Sequence, residues 1–331
     1  MSPLVFVIVI VVLAWAYDFY NGMNDAANAI ATTVSTRALT PGQAIALAWF
    51  FNVAGAFLTT RVAATVGKGI VDPATVDGSV WIAALLGAIL WSAVCTHLGI
   101  PISITHALVG GIAGAGWVGY GLGILKWAGV KKVLLGLVLS PLAGFAVAYL
   151  FMLGVLWTFR RVPLARANRF FRLGQIGSAS FMAFAHGSND TQNAMGMITA
   201  ALVAAGFLPD FHVPVWVIFG SAFFMGLGTA VGGWKVIRTL GMRMVKIDPS
   251  HGFAAETAGA LSILGATMAG APISTTHVIS TAVMGVGATR RLSAVRWGIA
   301  RDIVITWVLT IPGAAAGAAL MWVLLRVFIR F

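Results

Sequence analysis

The chain is short of charge, and shortest of negative charge: nine Asp and Glu stand against 21 Lys and Arg, and charged residues make up only 9% of 331 positions. A soluble domain carries roughly a quarter of its residues as charge, so this scarcity excludes a water-facing globule. Cysteine is scarcer still. Cys95 stands alone, which excludes an intrachain disulfide framework and a thiolate metal cluster. Strict alternation of polar and apolar residues is also missing, and with it the pattern of a transmembrane β-barrel. The basic excess of +12 is spread over short loops and not gathered on one helix or strand. That distribution reads as a topology signal and contact with anionic lipid, and nucleic acid is not expected as a partner.

What is present is apolar. Hydrophobic residues reach 60% and the mean hydropathy is +0.95, with 39 Gly and 12 Trp. Apolar runs of 15 to 25 residues and abundant glycine describe a helical bundle in lipid, with tryptophans expected at the interface. The first run, from Pro3, contains Ala14-Trp15-Ala16, which imitates a signal-peptidase site. It lacks a basic leader, and cleavage would remove the lead-in to a motif repeated mid-chain, so a retained membrane segment is expected.

That repeat organises the sequence. Gly22-Met23-Asn24-Asp25-Ala26-Ala27-Asn28 returns as Gly187-Ser188-Asn189-Asp190-Thr191-Gln192-Asn193. In the same order, Gly99-Ile100-Pro101-Ile102-Ser103-Ile104-Thr105-His106 returns as Gly270-Ala271-Pro272-Ile273-Ser274-Thr275-Thr276-His277. Two motifs duplicated in order imply a duplicated structure, 1–165 and 166–331, which together make one domain. The seam is the basic run from Arg160 to Arg172, expected as a loop.

The run 3–36 would be about 50 Å long as one helix, more than a ~30 Å hydrocarbon core requires, so a break is expected near Asn21-Gly22. The runs 79–96 and 102–120 are separated by little more than Gly99-Ile100-Pro101 and read as a hairpin that returns to its own side. Each half then crosses three times, an odd number, so the fold class expected is an all-α integral membrane protein of two inverted repeats, each with a broken helix and a helical hairpin. Placing the seam inside puts 14 of the 21 Lys and Arg on the cytoplasmic side and both termini outside.

The motifs carry chemistry. On a helix Asn24, Asp25 and Asn28 share one face, as do Asn189, Asp190 and Asn193, and their oxygens are hard donors suited to Na⁺. A glycine-permitted turn at Gly22 would add backbone carbonyls. A capping role for each Asp is the plainer alternative, but an acid within the membrane costs ~2.5 to 3.5 kcal/mol even on insertion scales. Two in matched contexts therefore read as an ion site. Pro101 and Pro272 start helices, so Ser103, Thr105, Ser274 and Thr276 fall at helix N-termini, where hydroxyls, free amides and the dipole favour an anion. Caps or back-bonds to carbonyls are the alternative there. An anion beside Asp25 and Asp190 would be repelled by ~4 kcal/mol for each at 4 Å. Bound cations or protons resolve that conflict, and symport follows.

Other polar residues offer accessory roles. Asp18 lies one turn before Gly22 and has no acidic twin, so it reads either as a cation ligand facing the same cavity or as an interfacial acid; Asn21 is answered by His186, so the two copies need not be equivalent. His106 and His277 titrate near neutrality and suit proton carriage or a hydrogen-bonded supporting role. Glu256 opens the second hairpin as an N-terminal acid or as a gating partner for an arginine.

These paired motifs and the basic seam resemble the inorganic phosphate transporter family over essentially the whole chain. The resemblance implies an inverted-repeat secondary transporter, not an enzyme, that carries inorganic phosphate with Na⁺ or H⁺ in the cell membrane, often as a homodimer. It implies no cofactor beyond the coupling ion. By position in the motifs, phosphate and cations would be held by Asp25, Asn28, Asp190, Asn193, Ser103, Thr105, Ser274, Thr275 and Thr276. Some relatives are thought to move sulfate. A divalent-metal or metal-phosphate transporter is a further alternative. An intramembrane aspartyl protease would use the two acids as a dyad but leaves the hydroxyl hairpins and asparagines unexplained.

Overall fold

The structure is a computed structural model describing residues 2–328; Met1 and 329–331, and with them the ends whose outward orientation is expected, lie outside the described residues. Among the described residues there are thirteen α-helices and no strands. The first half comprises α1 (Pro3–Ser35), α2 (Pro41–Ala56), α3 (Arg61–Gly69), α4 (Gly78–Leu98), α5 (Ile104–Tyr120) and α6 (Trp127–Phe159). The second comprises α7 (Leu164–Asp190), α8 (Gln192–Ala204), α9 (Val215–Val231), α10 (Trp234–Arg238), α11 (Pro249–Met268), α12 (Thr275–Ala288) and α13 (Trp297–Phe328). Helices α1, α4, α6 and α13 are each long and apolar enough to cross a membrane, and two bent pairs bring that number to six. This is an integral, multi-pass membrane protein of two inverted repeats.

The repeats interlock. Helix α13 packs on the α4–α5 hairpin of the first half, and α6 packs reciprocally on the α11–α12 hairpin of the second. Likewise α1 crosses α9 while α7 crosses α2. Glycine sets both crossings: a Cβ on Gly22 would overlap the Met225 carbonyl, and one on Gly187 would overlap the Asn52 carbonyl. With no hydrophobic drive between helices in lipid, such close backbone approach is what holds them together.

Gly22 therefore serves packing, and the expected break near it is not found: α1 runs unbroken through the motif. The interruption lies in the second copy, at Thr191, directly after Asp190. The reason is local. Ala26 and Ala27 continue the helix in the first copy, whereas at the matching positions Thr191 Oγ1 donates to the Gly187 carbonyl at 2.5 Å and Gln192 Nε2 to the Ser188 carbonyl at 2.5 Å. Gln192 Oε1 also accepts from the amides of Val62 and Ala63, at 2.8 and 3.0 Å, and so caps α3 across the repeat boundary.

The broken span of each half is its second one. Helices α2 and α3 meet at 73°, and α9 meets Trp234–Arg243 at 64°. Each bent segment clasps the hairpin tip of the opposite half: Thr65 Oγ1 and Arg61 Nη1 donate to the carbonyls of Gly270 and Met268, at 2.8 and 2.7 Å, while Thr239 Oγ1 and Lys235 Nζ donate to those of Gly99 and His97, at 3.0 and 2.7 Å. Both tips turn on left-handed glycines, Gly99 at φ +75° and Gly270 at φ +63°, which other residues adopt only with strain.

Two other expectations change. The basic seam is a loop only as far as Pro163; from Leu164 it is already the start of α7, because Phe171 and Gln175 are buried there while the arginines stay outside. Not every tryptophan is interfacial: Trp81 and Trp307 are buried, and Trp307 donates to the Pro101 carbonyl at 3.3 Å. The start of α11 is fixed by Asp248, whose Oδ1 accepts from the His251 amide at 3.2 Å and whose other oxygen meets Arg290. Burial pushes that carboxyl up, but the hydrogen bond and charge of His251 outweigh it and hold it below the ordinary carboxylate range.

Candidate functional site

Along α1 five of the polar residues fall at 18, 21, 25, 28 and 32, alternating steps of three and four that keep one stripe. That stripe faces the other repeat. Asp25 and Asp190 are 1% and 2% exposed and lie within 4.8 Å of each other and of His186, measured between their ligand atoms. His186 Nε2 is 3.3 Å from Asp190 Oδ2 and 3.9 Å from Asp25 Oδ2, and its Nδ1 is 3.0 Å from Asn52 Oδ1. The imidazole thus sits between the two acids, where the first copy has Asn21.

Hydroxyls from the hairpins complete the cluster. Thr276 Oγ1 donates to Asp25 Oδ1 and Thr275 Oγ1 to Asp190 Oδ2, both at 2.9 Å. Asn28 Nδ2 donates to Thr276 at 3.0 Å and to Thr275 at 3.3 Å, and Asn193 Nδ2 donates to Thr105 at 2.8 Å. Asp25, Asn28, Thr105, Asp190, Asn193, Thr275 and Thr276 therefore come together as the duplicated motifs led one to expect. The first turns of α5 and α12 meet there too: the rings of His106 and His277 are 5.1 Å apart, so two positive helix ends point at one place.

The amide nitrogens are spent and the amide oxygens are not. Oδ1 of Asn24, Asn28, Asn189 and Asn193 and Oδ1 of Asp190 are all buried with no hydrogen-bond partner. Buried acceptors left alone cost ~1 to 3 kcal/mol each, more for a charged group, so these five oxygens suit a hydrogen-bond donor or an oxygen-seeking cation.

Some expected residues do other work. Asn24 and Asn189 turn their nitrogens away, to Thr96 and Thr267 at 2.8 Å, and tie the motif helix to the hairpin of its own half. Ser103 and Ser274 are N-caps, accepting from the amides of His106 and His277 at 3.2 and 3.1 Å, which leaves their hydroxyl protons to donate. His106 and His277 are fully buried, and the His277 ring lies 3.9 Å from that of Trp307, tilted by 30°.

Glu256 is not a surface acid and pairs with none of the described arginines. It is fully buried and accepts from Thr32 at 2.5 Å, Thr33 at 2.9 Å, Gln175 at 3.1 Å and Ser178. Thr36 continues the chain through Gln175 Oε1 at 2.7 Å to a groove lined by Arg169 and Arg172. A hydrogen-bonded polar chain thus runs from Thr32, one turn beyond Asn28, to the basic seam. The repeat-related positions on the opposite side, Ile10, Leu13, Leu85, Met197 and Ile198, are all apolar.

Sequence reasoning missed Tyr17, whose hydroxyl donates to the Ile104 carbonyl at 3.1 Å, and Asn52, which orients His186. It also missed the hydroxyl and amide partners of Glu256. None belongs to a duplicated motif. The usable signal was the α1 stripe, which marks Thr32 as one step beyond Asn28.

The sequence model of the phosphate transporter family matches residues 21–167 and again 160–318. A probable low-affinity inorganic phosphate transporter of Rhizobium meliloti (strain 1021) is 46% identical, over 95% of this chain and 94% of its own. One of the same name from Bacillus subtilis (strain 168) is also 46% identical, over 98% and 99%. Among solved structures, one described as the sodium-dependent phosphate transporter superposes with a TM-score of 0.88 at 28% identity, covering 98% of this chain and 100% of that one.

Proposed function

Since the chain belongs to the phosphate transporter family, we propose that it imports inorganic phosphate by symport with Na⁺, binding both between its two repeats. The repeats, 1–165 and 166–331, act as one unit in the cell membrane with the basic seam inside. One observation carries the reading: each repeat supplies an Asp that accepts from a hairpin hydroxyl and an Asn that donates to one, at the meeting point of two helix N-termini.

The helix ends, the hydroxyl protons of Ser103 and Ser274 and the free amides of the first turns attract an anion. Asp25 and Asp190 repel it by ~4 kcal/mol for each at 4 Å and an effective dielectric of 20, so phosphate enters only with its cations. Those cations take the amide oxygens of Asn28 and Asn193 and the carboxylates. No arginine stands at the site, which keeps the grip on phosphate modest and reversible. The polar path through Thr32, Thr33, Glu256 and Gln175 is the inward exit. Its hydrogen bonds exchange for water as it opens, while the apolar counterpart closes the other side.

His186 favours a second reading in which one coupling ion is a proton. The imidazole lies within 4 Å of both acids and replaces the amide of the first copy. Uptake of labelled phosphate into proteoliposomes under a Na⁺ gradient, a proton gradient or neither, with sulfate as competitor, separates the readings. Symport with Na⁺ predicts accumulation under the Na⁺ gradient and little inhibition by sulfate. Accumulation under the proton gradient alone favours proton coupling, with His186 as its carrier. Phosphate flux under none of the three refutes both.

A further inference from the structure

Seven residues before Asp25, and so about 10 Å along α1, a second acid is buried with no opposite charge to answer it. Asp18 is fully buried, and among the described residues its carboxylate oxygens have no close hydrogen-bond partner and it forms no ion pair. The other buried acids differ: Asp25 and Asp190 accept from threonines and face His186, and Glu256 accepts four hydrogen bonds. Around Asp18 the want of partners is shared. Asn21, one turn on, is fully buried with both side-chain atoms unpartnered, and the fully buried Ser221 of α9 is the hydrogen-bonding neighbour of the Asp18 carboxyl, set too loosely for a close hydrogen bond.

The duplicated architecture provides an internal control. The crossing of α1 on α9 repeats as α7 on α2, with Gly22 against Met225 answered by Gly187 against Asn52. At the second crossing Asp18 becomes Ala183 and Ser221 becomes Ala48, both fully buried. Two positions 203 residues apart in sequence are polar together at one crossing and alanine together at the other. Packing alone accepts alanine at both; Ser221 answers at most one carboxylate oxygen, and the other oxygen and the Asn21 amide remain for a ligand.

We propose that Asp18, Asn21 and Ser221 form a second monovalent-cation site, taking Na⁺ on the outer leg of the path and separate from the paired aspartates. Two carboxylate oxygens, an amide oxygen and a hydroxyl offer four hard donors, which suits an oxygen-seeking ion completed by water. The ion neutralises a carboxylate that otherwise stands unpaired in lipid. The stripe from Asp18 through Asn21 to Asp25 lies on one helix face and leads the ion inward to the phosphate site. This inference rests on the Na⁺ reading above.

Equilibrium binding of ²²Na⁺ to the purified full-length protein in nanodiscs, with saturating phosphate, tests it. Asp18→Asn, which keeps the shape of the side chain, is expected to bind one Na⁺ fewer per chain than the unaltered protein and to retain phosphate binding. Ser221→Ala, which removes one donor, is expected to keep the count and weaken Na⁺ affinity about tenfold. An equal, non-zero count in Asp18→Asn and the unaltered protein overturns the site and leaves the Na⁺ reading intact. No Na⁺ bound by the unaltered protein overturns both. Loss of all Na⁺ and phosphate binding in Asp18→Asn, with Ser221→Ala unchanged, also overturns it by making Asp18 part of the paired site or of the fold.

Discussion

Replacing Asp190 with Asn removes one of the two carboxylates that face the bound cations and keeps the size of the side chain. A unit charge about 4 Å from a cation at an effective dielectric of 20 is worth ~4 kcal/mol. At 1.4 kcal/mol for each factor of ten, the half-saturating Na⁺ concentration rises on the order of 10² to 10³-fold. Thr275 gives the calibration, because its hydroxyl donates to the same carboxylate at 2.9 Å. Thr275→Ala removes one hydrogen bond to a charged group, ~1.5 to 3 kcal/mol, and raises the Na⁺ requirement by about tenfold to a hundredfold. The assay is the Na⁺ dependence of labelled-phosphate uptake in proteoliposomes, with protein amount and monodispersity matched. Asp190→Asn within threefold of the unaltered protein, with uptake preserved, refutes the assignment of that carboxylate to the cation. Equal effects of the two variants refute the electrostatic reasoning, since a charge and a hydrogen bond would then count the same.

Three further outcomes follow from the same geometry. Glu256→Leu, which copies Leu85 of the other half, strands the donors Thr32, Thr33, Gln175 and Ser178 and lowers stability by about 2 to 4 kcal/mol. It slows uptake while phosphate affinity stays put, so a fall in affinity with stability unchanged counts against the exit path. Gly187→Ala drives a methyl group into the Asn52 backbone and costs about 1 to 3 kcal/mol or more, seen as a lower thermal midpoint in detergent; an unchanged midpoint means that α2 and α7 are not held at that crossing. Asp248→Asn removes a carboxylate whose folded value is depressed, so its stabilisation is present above the unfolded value near 4 and fades as pH falls through the lower folded one. The variant should therefore melt earlier at pH 7, and by less near pH 3; an equal deficit at both pH values contradicts the linkage.

Local punctuation made the hairpins legible. Gly99 and Gly270 adopt the left-handed turn, Ser103 and Ser274 cap the returning helix, and each of those steps is contained within about ten residues. The convergence of the motifs was legible as well, because duplication in order constrains where both copies lie. The break was misread because Gly22 looks the same whether it unwinds a helix or admits another helix against it. The partner that decides, Met225, is about 200 residues away. Glu256 was misread for a similar reason: its four donors come from α1 and α7, and no local pattern predicts that they meet. Asn52 and Tyr17 were invisible because neither has a twin, whereas Asp18 announced its asymmetry in the sequence and only the structure showed that Ser221 shares it.

The central claim is that phosphate and Na⁺ occupy one site and require each other there, and reciprocal binding tests it most directly. Phosphate affinity of the purified protein is measured across Na⁺ concentrations, and Na⁺ affinity across phosphate concentrations, in the unaltered protein and in Asp25→Asn. The account predicts that each ligand tightens the other by the same factor, as linkage demands, and that the factor collapses towards one in the variant. Phosphate binding indifferent to Na⁺ in the unaltered protein, with protons equally without effect, would contradict it.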